Sequence, residues 1–312
     1  MNFFQELDQT MKQDFGNRGL LCSLPENPVE QAFVILSSAR RVILLTGFPV
    51  RMEDGTIIGE TDGPSGTADL AAALIGWGAE VLVVTDRPSF ALLNEALSYR
   101  APKAALALLP DEQPELFIRE YVQAFRPTHF ISLERPGKAK DGHFHNMRGE
   151  VIDDMVTDSS LFLSEAKRFG AVTISIGDGG NEMGMGAFQE AICRHVPSGE
   201  KICTKDAADL TLAAGVSNWW GWGLAALLSI HAGRSLLPTE EQECETLHRV
   251  VLAGGVDGCT KKQTETVDQL SMTVHLSILR SVTFLLEKEL TARSARMSLL
   301  HGKAVQTLTQ TA

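Results

Sequence analysis

Two carboxylates and an amide stand close together in Asp178-Gly-Gly-Asn-Glu182, directly after the β-branched run Thr173-Ile-Ser-Ile176. Paired acids can divide the taking and giving of a proton, or hold a hard cation between them. Gly177, Gly179, Gly180, Gly184 and Gly186 leave a backbone that can approach a ligand closely. A turn shaped only for geometry needs no second acid; the blander reading is a tight strand-to-helix turn capped by Asp178. A second acidic loop, Gly59-Glu-Thr-Asp-Gly-Pro-Ser-Gly66, opens an apolar helix. Pro64 suits a first helical turn, whose free N–H groups favour anions. No lysine follows the glycines, so this is not a Walker loop. Glu60 and Asp62 suit an ammonium group, or with Asp178 a Mg²⁺- or Mn²⁺-like ion, better than a phosphate. Capping by Asp62 beside a solvated Glu60 is the alternative.

The elements that must position these residues follow from the apolar pattern. Arg41-Val-Ile-Leu-Leu-Thr46, Val81 to Thr85, Ala104 to Leu108, Thr128 to Leu133, Thr173 to Ile176 and Asp209 to Gly215 read as strands, the last with a buried helical piece as its other reading. Helical patterns separate them, and Asp54-Gly55 marks the tip of a short hairpin after the first. Near-continuous apolar strands alternating with helices predict a three-layer α/β fold, with a mostly parallel sheet and helices on both faces. The absence of any compositional break predicts one domain over 1–312, with N-terminal helices in 1–40 and C-terminal helices in 220–312 packed on the sheet. A helix is expected over 150–169, acidic at its start. The tryptophans of Trp219-Trp220-Gly-Trp222 read as core, with an interface between identical copies as the other reading.

In a parallel sheet the polar ends of these strands meet on one rim, where open α/β folds bind ligands. The rim would gather Glu60 and Asp62, Asp86, Glu134-Arg135, Asp178 to Glu182, and Ser217-Asn218. Asn146 and Arg148 look like part of a ligand-holding loop. His143 and His145 alternate as on an extended segment and could ligate a metal, but no third ligand stands out beside them. Arg18, in the polar turn Asp14 to Leu20, reads as a surface arginine within reach of a site. His129 reads as a core residue. No G-x-G-x-x-G follows any strand, so a nicotinamide or flavin site is not indicated.

A net charge of −11 argues against nucleic acid and anionic membrane as partners. The five cysteines are odd in number and scattered, without a C-x-x-C pair, so neither a disulfide framework nor a zinc knuckle is indicated, and a cytoplasmic setting is expected. The N-terminus lacks the basic flank and apolar core of a signal peptide. The longest apolar run, Trp219 to Ala232, falls short of the ~20 residues of a membrane span.

Six motifs, taken in order, carry a resemblance. They are Glu60-Thr-Asp-Gly-Pro64, Glu134-Arg-Pro-Gly137, Asp141-Gly through Asn146-Met-Arg-Gly149, Ile176-Gly-Asp-Gly-Gly-Asn-Glu182, Val216-Ser-Asn-Trp219 and Gly254-Gly-Val-Asp-Gly258. From about Asp14 to His275 the chain resembles the D-glutamate cyclase family, in its C-terminal cyclase-like domain. The resemblance implies a hydro-lyase that interconverts D-glutamate and 5-oxo-D-proline plus water, with an amino acid or related acid as ligand. Such ring closure needs a base for the ammonium proton, a counter-charge on the carboxylate and an acid for the departing oxygen. Asp178 and Glu182 are the candidates for base and acid, with Glu134 in reserve. Arg135 and Arg148 can clamp carboxylates, while Asn146, Asn181, Ser217 and Asn218 can orient the substrate. The same acidic rim also suits a divalent-metal-dependent hydrolase or phosphatase, or a non-catalytic amino-acid-binding protein.

Overall fold

The central apolar runs become strands because they are buried on both faces, and alternate side chains go to different cores, while the third run forms a partly exposed edge strand. The computed structural model describes residues 1–310, with side chains to residue 296; residues 311 and 312, the last of the span expected as C-terminal helices, lie outside the described residues. The chain opens with helices α1 (Phe3–Met11) and α2 (Val29–Leu36), strand β1 (Arg41–Thr46) and a hairpin of β2 (Pro49–Arg51) and β3 (Ile57–Gly59). Then come α3 (Pro64–Trp77), β4 (Glu80–Thr85), α4 (Arg87–Arg100), β5 (Ala105–Leu108), α5 (Pro114–Phe125) and β6 (His129–Leu133). There follow α6 (Leu161–Arg168), β7 (Val172–Gly177), α7 (Gln189–His195), α8 (Gly199–Ile202), β8 (Leu210–Ala213), α9 (Asn218–Ala232) and α10 (Glu240–Leu252). A two-stranded hairpin, β9 (Thr266–Val267) and β10 (Leu270–Ser271), leads into α11 (Met272–Gln310).

Six parallel strands form one sheet in the order β5-β4-β1-β6-β7-β8. The chain builds outward from β1 to β5, returns to β6 beside β1, and builds outward again. The direction therefore switches between β1 and β6, and a ligand crevice is expected above their carboxyl ends. Thr46 pairs with Leu133 and Leu133 with Ile176. Gly47, Glu134 and Gly177 consequently leave the sheet side by side, with the Gly47 N–H on the Glu134 carbonyl at 3.0 Å. On one face Val42 and Leu44 of β1 pack with residues of α3 and α9; on the other Ile43 and Leu45 pack with α5 and α6. These are the three layers expected from the alternation.

Helices α3 and α9 cross where both carry glycine. A Cβ on Gly221 would lie 2.3 Å from the Gly66 carbonyl oxygen, so only glycine permits this approach. The three tryptophans of α9 lie in the core, and Trp222 Nε1 donates to Asp69 Oδ2 at 2.9 Å. His129 is buried as read, with Nε2 3.0 Å from the Ile35 carbonyl, and burial pulls its pKa below the ordinary value. The helix expected over 150–169 starts only at Leu161; before it lie loop and a single 3₁₀ turn at Asp153–Met155. The reason is visible at Thr157, whose N–H donates to Asp86 and whose carbonyl accepts from Arg135. Those backbone groups are committed to the rim and cannot close a helical ladder. Among the described residues no helix is long and apolar enough to cross a membrane.

Candidate functional site

Two helix N-termini build the base of the crevice by capping one another. Asp62, just before α3, accepts from the N–H groups of Ser217 (3.1 Å) and Asn218 (2.9 Å) at the start of α9. Asn218 returns the contact, its Oδ1 accepting from Gly63 N (2.9 Å) and Gly66 N (2.8 Å). Free N–H groups at a helix start are satisfied this way, and here the exchange fixes Asp62 between the helices. Glu134 follows β6 with φ of 47°, a left-handed conformation that costs a non-glycine residue about 1–3 kcal/mol. Its Oε2 accepts from Ser217 Oγ at 2.6 Å. Asp178 follows β7 and accepts from Ser217 N at 3.3 Å. One carboxylate oxygen from each of Asp62, Glu134 and Asp178 lies within 4.8 Å of the others, and all three residues are buried.

Above this trio lies a cavity of about 370 Å³, in the range of small-molecule sites. Glu60, Glu134, Asp178 and Asp268 border its depth, and Phe48, Val50, Ile152 and Met155 its apolar side. Arg18 enters from the turn after α1, donating to Asp178 Oδ1 and reaching Asp268 Oδ1 at 2.5 Å. The expectation of a surface arginine is therefore corrected: two buried carboxylates draw the guanidinium inward. Asp268 was not singled out in the sequence. Its only local signal is its place after the short Thr266–Val267 strand, where Asp268 and Gln269 both take positive φ (54° and 66°).

The other expected residues divide. Glu182 borders the cavity, but one oxygen accepts from Asp178 N and Gly179 N and the other from Gly180 N. It holds the loop that presents Asp178. Asn181 donates to the His145 carbonyl at 2.8 Å, and the Asn146 side chain closes its own turn onto Arg148 N and Glu150. Arg148 is exposed at the cavity wall, and Lys261 stands on the same wall. Arg135, expected as a carboxylate clamp, is fully buried outside the cavity. It donates to Asp86 (2.6 Å), Ser159 (3.0 Å), and the carbonyls of Gly47 and Thr157. His143 pairs with Asp153 and His145 with Asp141, and among the described residues they form no metal-like cluster. Of the three residues expected to hold a cation, Asp62 and Asp178 come together with Glu134, while Glu60 stands outside the trio.

Crowding of buried acids sets the electrostatics. Burial raises the Glu60, Glu134 and Asp178 pKa values well above the carboxylate range; neighbouring acids raise them further, while Arg18 opposes the shift at Asp178. Asp62 is pushed up to about 7, chiefly by burial and the charge of Asp268, against the Asn218 and Ser217 N–H groups and Arg18. Burial works to lower the Arg18 value, but Asp178 and Asp268 outweigh it and the guanidinium stays charged. The arrangement can receive positive charge, hold protons on carboxyls near neutral pH and anchor one anionic group on Arg18.

The family described as D-glutamate cyclase-like, C-terminal, matches residues 7–283. The mitochondrial D-glutamate cyclase of Homo sapiens is 34% identical over 241 residues, covering 72% of this chain. The aligned part is 38% of that relative's length.

Proposed function

Because the chain belongs to the D-glutamate cyclase-like family, we propose that it is a lyase closing D-glutamate to 5-oxo-D-proline and water, and running the reverse. The observation that carries the reading is the buried carboxylate trio with one guanidinium at the base of an amino-acid-sized cavity. D-Glutamate brings one ammonium and two carboxylates. Glu60, unpaired on the cavity among the described residues, receives the positive charge, while Arg18 at the base and Arg148 at the wall face the carboxylates. Ring closure moves two protons from nitrogen to the departing oxygen as the C–N bond forms and the C–O bond breaks. A carboxyl that is alternately acid and base can relay both. Glu60 suits that relay, since no hydrogen bond ties its side chain among the described residues. Glu182 is less suited, because its charge already holds three backbone N–H groups. Fixing nitrogen and carboxyl carbon together supplies much of the rate. The ligand class proposed is an amino acid or related acid. The free state of all five cysteines suits a reducing compartment such as the cytoplasm.

The test is incubation with D-glutamate, L-glutamate and 5-oxo-D-proline, read by chiral chromatography. Formation of 5-oxo-D-proline from D-glutamate supports the reading; inert D-glutamate and 5-oxo-D-proline sink it. The metal-dependent hydrolase reading draws on the same trio, and phosphate release from ester substrates without ring closure would favour it.

Arg148 gives a sharper check on orientation. Lysine keeps the charge but loses the planar fork. Arg148→Lys is expected to weaken substrate binding about tenfold, since a charged hydrogen bond is worth roughly 1.5–3 kcal/mol. Substrate titration reads the effect, and unchanged affinity would remove Arg148 from the site.

A further inference from the structure

We propose that Asp62, Glu134 and Asp178 form a site for one divalent cation of the Mg²⁺ or Mn²⁺ class, which neutralises the substrate carboxylate under attack. The ion's use rests on the cyclase reading; its binding does not. The oxygens of the trio lie within 4.8 Å of one another. An ion with bonds of about 2.0–2.4 Å can reach all three from between them. The donors are all carboxylate oxygens, which select hard cations over soft ones. They are also held in place from behind. Asp62 is gripped by Ser217 and Asn218 N–H groups, Glu134 by the Ser217 hydroxyl, and Asp178 by Arg18 and Ser217 N–H. Outer contacts of this kind orient ligands around metals.

A second observation points to a ligand beyond the trio. Glu60 is 8% exposed, borders the cavity, and has no side-chain hydrogen bond among the described residues. Asp268 Oδ2, on the same cavity, is buried and likewise without a partner. A buried carboxylate oxygen without a donor, beside a second acid that faces the cavity unpaired, leaves acceptors for a ligand to satisfy. An octahedral Mg²⁺-like ion keeps several waters, whose oxygens would face the ion and whose hydrogens would be free to donate outward. Such waters would supply donors to Glu60 and Asp268, with Asp62, Glu134 and Asp178 holding the ion. Charge points the same way. Glu60, Asp62, Glu134, Asp178 and Asp268 crowd around the single guanidinium of Arg18 at the base. The N-terminus of α9 adds no net cation, and its first N–H groups are already bound to Asp62 and Asp178.

The full chain is stripped with EDTA and titrated with Mn²⁺ alone, by calorimetry and by loss of the free-Mn²⁺ spin-resonance signal. One Mn²⁺ per chain is expected, displaced by Mg²⁺ and accompanied by a rise in melting temperature. Glu134→Gln and Asp62→Asn should each weaken it at least about tenfold, the lower end of what even outer-contact losses produce. Glu190→Gln, an exposed acid elsewhere, should leave it unchanged. No binding at millimolar Mn²⁺, or binding indifferent to both substitutions, overturns the site. If a variant melts before titration, pulsed spin resonance of the wild-type complex decides: oxygen-only coordination supports the trio, and nitrogen coupling places the ion on histidine instead. Mn²⁺ bound without any 5-oxo-D-proline formed would support the site and remove the cyclase reading. Full turnover in EDTA with no Mn²⁺ bound would overturn the site and leave that reading intact.

Discussion

Asp178→Asn is expected to cut kcat by about 10²–10⁴ while the protein melts at the wild-type temperature or above. The rate loss is that of removing a group that carries a proton or its compensating charge in the transition state. Asparagine is nearly the same size and can still meet the Ser217 N–H that Asp178 holds at 3.3 Å. It cannot supply negative charge to the trio or to Arg18. Stability should survive because the wild-type residue is buried among like charges: burial, Asp268, Asp62 and Glu182 raise its pKa against the pull of Arg18, and after the change Arg18 keeps Asp268 as its charged partner. Active sites commonly carry such destabilisation for function. The measurement pairs turnover of D-glutamate with thermal melting. A normally folded variant retaining more than about half its activity would reduce Asp178 to a turn residue.

Arg135→Met is expected to do the reverse, lowering stability by about 3–5 kcal/mol with little change in substrate affinity of the protein that remains folded. Removing one partner of a buried ion pair strands the other, and the cost is of that size. Asp86 is as buried as Arg135, and the pair is 2.6 Å apart. The arginine also ties Gly47, Thr157 and Ser159 together behind the strand ends. Against a typical stability of about 5–15 kcal/mol, the loss is large. Urea unfolding reads it, and the Arg135→Met, Asp86→Leu double variant should lose less than the single change. A variant of wild-type stability with a raised KM would restore Arg135 as a substrate clamp.

The contrast between these two residues marks what could be read in the sequence. Strand runs such as Val42 to Leu45 are legible because burial on both faces leaves no room for polar alternation, and six such runs suffice to name the layers. Asp62, Glu134 and Asp178 are legible as acids at strand or helix ends, where the parallel sheet brings them together. Arg135 and Arg148 look alike in one dimension; only packing shows that one is locked behind the rim and the other stands exposed on the cavity wall. Glu182 has the same difficulty, since the Gly-Gly turn folds its carboxylate back onto its own loop. Arg18 and Asp268 lie on short irregular segments with no periodicity, and their meeting depends on tertiary paths that no local pattern encodes. The missing helix over 150–160 fails for a related reason: long-range demands on Thr157 override a local preference.

The path of Arg18 has a consequence for how the protein is made. Its partners lie far along the chain, Asp178 at 160 positions and Cys259 at 241. At about 5–20 residues per second, the turn carrying Arg18 leaves the ribosome roughly 10–50 s before the β9–β10 hairpin arrives. During that interval β1, β4 and β5 can already pair, while the acids of the β3–α3 loop remain in water. Arg18 cannot bridge Asp178 and Asp268 until nearly the whole chain is synthesised. A nascent chain stalled before Asp268 therefore lacks one end of that bridge however well its sheet has formed, and the onset of activity becomes a late clock for the completion of translation.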